Sequence, residues 1–313
     1  MSLRIFLLSL SILLASPGVG IAFDGYVQTF ESNGTITWGN GAITVKRAIE
    51  QPESDEGEAA VLDPLVTRKA VSSARKQMLD MILSTRIDAK QTVHSYLTQE
   101  PELATEVRGV VQNSPLERPA VFDGAGEVVV SEVFRGRLAD LVLPTTIPFQ
   151  SGIPPKLATT HEEADVEGAE LPEEAGGGAG LFTGLIIDAS HLQMTPSLTP
   201  VVYGQDGVGV YGAFMVSRAN AVEKGVVAYS TTADPLALKT RVGNNPLLIP
   251  ASSAFGSWRT DVVIPTPMAR LARAILQSHE VVANCRVVIV MPVPESSEAP
   301  EAVENILKSE GLQ

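Results

Sequence analysis

The stretch GLIIDASHLQMTPSLTP, residues 184–200, sets a short apolar run, Leu185 to Ile187, against an acid, a serine and a histidine, and ends between two prolines. An apolar run of that length bounded by chain-breaking residues reads as a buried strand of a sheet covered on both faces. Asp188 closes the strand, because a carboxylate there can accept backbone amides of the turn that follows. The competing reading makes Asp188, Ser190 and His191 the orienter, nucleophile and base of a hydrolase. Adjacent side chains in an extended segment point to opposite faces, so Ser190 and His191 are poorly placed to bond each other. The nucleophile elbow of α/β-hydrolases also needs glycines two before and two after the serine, and this chain has Asp188 and Leu192 there. The turn reading predicts that an amide after Asp188 bonds its carboxylate and that His191 has no orienting acid.

Downstream, residues 181–291 read as an α/β domain. Val287 to Val290 is a second buried strand, and Val201 to Tyr203 with Val208 to Tyr211 flank the Gln205-Asp206-Gly207 turn as a hairpin. Val226 to Tyr229 and Leu247 to Ile249 are further strand candidates. Two helices fit: Ser217 to Lys224, capped by Ser217 and stopped by Gly225, and Pro267 to Ser278 after Thr266. The connections Thr231 to Asn245 and Ala251 to Arg259 are long and polar, and binding residues usually sit on such loops. If this domain binds a small ligand or hydrolyses one, Asp188, Ser190, His191, Arg259 and Asp261 are the residues to use. Cys285 is the one cysteine; it can make no internal disulfide and reads as a buried, inert thiol.

Upstream, residues 145–180 read as an acidic, Gly-rich linker without apolar periodicity. His161 lies among its acids, but the spacing fits no metal-ligand pattern. Residues 23–144 read as a first domain. Thr35 to Trp38 and Ala42 to Val45 alternate around Gly39-Asn40-Gly41, a hairpin signal. After the acidic loop Glu50 to Glu58, Asp63-Pro64 opens a long helix whose apolar stripe is Val66, Ala70, Ala74, Met78 and Ile82. Glu106 to Val111, Gly126 to Phe134 behind an Asp123-Gly124 turn, and Arg137 to Leu143 read as strands. His94 reads as a surface or core histidine rather than a ligand. The fold class is α+β: a small N-terminal sheet with one long packed helix, the linker, then a second α/β domain, with 292–313 as a tail.

Residues 1–22 have one basic residue, Arg4, the apolar run Ile5 to Ala15 and a small-residue exit at Gly20-Ile21-Ala22. This is the pattern of a signal peptide, and the apolar run falls short of the about 20 residues a membrane span needs. Cleavage after Ala22 would leave Phe23 first and predicts an exported protein, periplasmic or secreted, with outer-membrane association as an option. Loss of Arg4 and no acid would take the formal charge from −13 to −14, which disfavours nucleic acid and anionic lipid as partners. No metal and no cofactor are expected.

The helix from Thr67 to Leu83 running into Thr85-Arg86-Ile87-Asp88, then Val107-Arg108-Gly109-Val110-Val111 and the 126–134 strand, resembles a bacterial envelope domain. That domain occurs in small outer-membrane lipoproteins and at the amino end of the flagellar assembly protein T, and the resemblance spans residues 24–144. It implies an exported protein that binds other envelope proteins, with self-association as an option, and catalyses nothing. The chain departs from it in lacking a lipobox cysteine. Residues Thr183 to Ala189, Pro196 to Pro200, Val210-Tyr211-Gly212 and Cys285 to Val290 resemble the carboxy-terminal region of uncharacterised exported bacterial proteins. In those relatives Arg-Gly usually follows Asp-Ala, where this chain has Ser190-His191. The functional expectation is a non-enzymatic scaffold or docking module of the cell envelope, and the alternative is the ligand-binding protein or hydrolase above.

Overall fold

The structure, a computed structural model, describes residues 25–31, 33–49, 63–122, 125–145, 149–157 and 182–294. The leader, the acidic loop 50–58, the Asp123-Gly124 turn, His161 and most of the acidic segment lie outside these residues.

In the first half, β1 (Val27–Phe30), β2 (Gly34–Thr37), β3 (Ala42–Ile49), β4 (Leu116–Phe122) and β5 (Ala125–Val133) form an antiparallel sheet in the order β1-β2-β3-β5-β4. The β2/β3 hairpin turns where Asn40 and Gly41 place it: the Asn40 side chain accepts the Ala42 amide at 2.9 Å, and Gly41 has φ +82°. Helix α1 (Pro64–Ser84) starts as its cap dictates, with Asp63 accepting the Leu65 amide at 2.8 Å. Ala70, Ala74, Met78 and Ile82 are buried along one stripe, in one core with Ile36, Ile43, Val45, Val128 and Val130 from the sheet.

Two segments expected as strands are helical. Glu106 to Val111 belongs to α3 (Pro101–Gln112), which follows α2 (Val93–Gln99). Val107 and Val111 bury one helical face at a spacing of four while Arg108 and Gly109 stay exposed. Arg137 to Leu143 belongs to α4 (Gly136–Val142), where Leu138, Ala139, Leu141 and Val142 are buried. Short apolar runs do not distinguish helix from strand by periodicity, and here tertiary packing chose the helix. Among the described residues the first half therefore has four helices rather than one: α1 and α4 pack on the sheet, and α2 and α3 pack on those two.

The second half is α/β. Strands β6 (Gly184–Asp188), β9 (Ala228–Ser230), β10 (Pro246–Pro250) and β13 (Val287–Val290) make a parallel sheet in the order β10-β6-β13-β9. Strands β7 (Val202–Gly204), β8 (Gly209–Tyr211), β11 (Ser253–Phe255) and β12 (Asp261–Ile264) make a mixed one in the order β11-β12-β7-β8. Helices α5 (Arg218–Lys224), α6 (Lys239–Val242), α7 (Thr266–Ile275) and α8 (His279–Ala283) complete it. The central β6 is buried on both faces: Leu185 and Ile187 enter the main core, and Ile186 packs in a smaller cluster with Leu238, Val242 and Val288. Ser217 caps α5 by accepting the Asn220 amide, and Gly225 ends it at φ +74°. Helix α7 begins at Thr266 itself, after Pro265. The long connections hold short elements, α6 in one and β11 in the other, and β12 is a strand that the alternation did not reveal.

Strand β10 edges the parallel sheet. Asn245 accepts the Thr183 amide and Ala251 donates to Asp188, so odd-numbered positions bond inward and Pro246 and Pro250 fall on the outward side. A proline costs no ladder bond there, and it leaves few donors for another strand to pair with.

The opposite edge, β9, is covered by the first half. Tyr26 donates to the Tyr229 carbonyl at 2.8 Å, and Tyr229 donates to the Trp38 carbonyl at 3.4 Å. Trp38 meets the Tyr229 ring edge to face, with centroids 5.6 Å apart. A second seam pairs Arg86 and Ile87 with the end of the 184–200 stretch: Leu198 donates to the Arg86 carbonyl at 3.0 Å and Thr199 to that of Ile87 at 2.8 Å. The main core is one connected cluster with buried apolar residues from both halves. Within the expected linker, residues 149–157 lie along the second half, with Gly209 donating to Pro155 and Leu157 donating to Gly207.

Candidate functional site

The turn after β6 is built as its sequence dictates. The Asp188 carboxylate accepts the Ser190 amide at 3.1 Å, which ends the strand and occupies the acid locally. Ser190 and His191 are both exposed. Among the described residues no hydrogen bond or ion pair reaches the His191 side chain, so nothing orients its ring. A serine nucleophile needs an adjacent base that is itself held in place, and the geometry around these residues supplies neither link.

Arg259 and Asp261 lie close to this stretch but do other work. Arg259 adopts φ +52°, donates from Nη1 to the Gln193 side chain at 3.0 Å, and accepts the Thr195 amide at its carbonyl. It therefore holds the downstream part of the 184–200 stretch in place. Asp261, 4% exposed in β12, accepts the Val201 amide at 3.0 Å. Burial pushes its carboxyl up to about 6; the Val201 bond opposes the shift and the charge of Asp88 adds to it. The neighbouring Tyr203 phenol is pushed up to about 12 by its own burial and by Asp261. A titratable group shifted this way marks candidate chemistry, but this one is enclosed and already spoken for by a backbone amide.

Cys285 is fully buried at φ +50°, and burial pushes its thiol up, which keeps it protonated and unreactive. His94 is exposed on α2 beside a groove lined by Leu79, Leu83, Leu97 and Val107. No group of three or more His, Cys, Asp or Glu among the described residues is placed to hold a metal ion.

One polar arrangement went unread in the sequence. Arg135 precedes α4 in the first half, and its guanidinium lies between Gly41 of the first half and Gly225 of the second. A Cβ on Gly225 would lie 2.7 Å from its Cζ, and one on Gly41 would lie 3.0 Å from its Nη1. Gly225 was legible as a helix stop, but nothing in the sequence linked it to an arginine ninety positions away. Arg241 comes to the same place, donating to the carbonyls of Lys224 and Gly225 at 2.8 and 2.9 Å, where a cation suits the carboxy end of α5.

Among the described residues no helix is long and apolar enough to cross a membrane. No curated protein matches the chain. Residues 184–293 match the family model for the second domain of Tp0624 from Treponema pallidum, so over that span the chain is similar to an uncharacterised bacterial domain.

Proposed function

We propose that this is an exported, non-enzymatic protein of the cell envelope that scaffolds or docks other envelope proteins, outer-membrane or flagellar ones among the options. The observation that carries the reading is the state of the stretch around Asp188. Its acid is taken up by the turn, its serine and histidine stand exposed without an orienter, and its last residues bind the first half of the same protein. The leader-like amino end supports export. The similarity of residues 184–293 to a domain of a bacterial protein agrees with a bacterial origin. The resemblance of 24–144 to the envelope domain supports protein binding, although its Val-x-Gly segment is helical here.

Cell fractionation followed by crosslinking and identification of bound proteins tests this reading. A periplasmic or outer-membrane pool crosslinked to defined envelope proteins is expected, and a free, unpartnered monomer in every fraction would count against it. The hydrolase alternative draws on the raised pKa of Asp261. Turnover assays on wild type, Ser190→Ala and His191→Ala are expected to give the same background, and a loss confined to the variants would favour the enzyme.

A further inference from the structure

Helix α1 has a second apolar edge. Its main stripe faces the sheet, while Leu79 and Leu83 lie to one side of that stripe and stay half-buried. With Leu97 of α2 and Ala104 and Val107 of α3 they floor an open groove of about 150 Å³, rimmed by His94, Thr98 and Arg108. That volume takes aliphatic side chains but falls short of the about 300 Å³ at which pockets enclose a small ligand. An apolar floor between helices suits the anchors of an amphipathic helix, spaced at i, i+3 and i+4. Arg108 is exposed and forms no ion pair among the described residues. The groove therefore fits an occupant that is apolar on one face and acidic beside it.

The chain carries such a segment beyond Pro294, the last described residue. In APEAVENILKSEGL, residues 299–312, Val303, Ile306 and Leu307 fall on one face at helical spacing, with Glu301 and Glu304 off it. Pro300 is suited to a first turn and Gly311 to a stop. Residues 295–313 hold five acids and one base in a protein of net charge −13, so most of the surface repels them and an open cation attracts them. The tail leaves from the seam that leads to α2. Met291 donates to the Ser230 carbonyl, the adjacent Tyr229 hydroxyl holds Ser197, Leu198 donates to Arg86, and Thr85 accepts the Val93 amide that opens α2. Residues 295–307 reach about 30 Å from Pro294 even with 300–307 coiled into a helix.

We propose that residues 300–310 dock as an amphipathic helix in the groove between α1, α2 and α3 of their own chain, with Ile306 and Leu307 on its floor and Glu304 on Arg108. The tether holds the segment at an effective concentration of about a millimolar, which favours it over an unattached competitor of equal affinity.

The test uses the full chain. Cys285 is buried, so cysteines placed on the surface are crosslinked selectively by a bis-maleimide. Thr98→Cys with Ser309→Cys puts one thiol at the rim and one in the tail, and Thr240→Cys with Ser309→Cys is the control, on an exposed position of the second half. Urea midpoints equal to that of the wild type check that the variants fold. An intramolecular crosslink several-fold stronger from Thr98→Cys than from Thr240→Cys is expected, identified as a peptide pair by mass spectrometry. Adding Ile306→Asp and Leu307→Asp should lower it about tenfold or more, as loss of two buried aliphatic side chains implies. Arg108→Glu should weaken it several-fold, and Glu304→Arg in the same chain should restore it. Equal yields at the two sites, or a yield indifferent to these substitutions, overturn the proposal. A crosslink found only between two chains also overturns it and assigns the groove to a second copy.

Discussion

An aspartate in the unfolded chain titrates near 3.9, whereas Asp261 inside β12 is pushed up to about 6 by burial. The folded state therefore binds this proton more tightly than the unfolded state does. Its ionisation costs no stability below about pH 4, and the penalty grows as pH rises and is complete above about pH 6, where it amounts to ~3 kcal/mol. Asp261→Asn keeps an oxygen for the Val201 amide and removes the ionisation. Urea unfolding from pH 4 to 7 should show the variant gaining stability relative to wild type across that window; parallel curves would contradict the shifted carboxyl. Gly225 makes the second prediction at this scale. It has φ +74°, and a Cβ there would meet Arg135. Gly225→Ala combines backbone strain with displacement of the half-buried Arg135 guanidinium and is expected to cost about 2 kcal/mol in chemical denaturation.

Elements follow local sequence where an end signal is present. Asp63-Pro64 fixes the start of α1, Ser217 and Gly225 fix the ends of α5, and the Asn40-Gly41 turn fixes the β2/β3 register. Asp63→Ala should lower stability by about 1 kcal/mol, read as a shift in the urea midpoint at constant m-value. Elements without such signals were misread. Residues 106–111 and 137–143 are short and apolar, and both the spacing of two and the spacing of four can be drawn through them. The packing of α3 and α4 against the rest of the first half decided between the readings. Strand β12 was missed for the opposite reason: its acid, Asp261, looks like a loop residue until burial and the Val201 bond are seen.

At the scale of the molecule, the two halves complete each other. The first half covers the β9 edge, Trp38 packs on Tyr229 and Phe134, Arg218 pairs with Asp140, and the Arg86 guanidinium stacks 3.7 Å from the Trp258 ring centroid. Such an arrangement should unfold as a unit. The two tryptophans lie on opposite sides of the seam, Trp38 in the first half and Trp258 in the second, so fluorescence of single-tryptophan variants reports each half. Coincident transitions are expected, and well-separated midpoints would show that the halves unfold independently. Trp38→Ala, which empties a site only 6% exposed, should cost about 3–5 kcal/mol and lower the transition seen at Trp258 as well.

The sequence by itself determined the α+β class, the central buried strand Leu185 to Ile187, the turn at Asp188, the β7/β8 hairpin and the capped helices. Each of these is encoded in contiguous residues by alternation, breakers or a cap. The turn that Asp188 makes with the Ser190 amide was also legible, because the end of a strand and a carboxylate that accepts the next amides are local facts. Only the tertiary structure decided that the TPSLTP end of the 184–200 stretch binds Ile87, that β9 is covered by Tyr26 and Trp38, and that Arg135 lies between Gly41 and Gly225. Those contacts join residues far apart in the chain, and their energies come from burial and charge that exist only once both halves are in place.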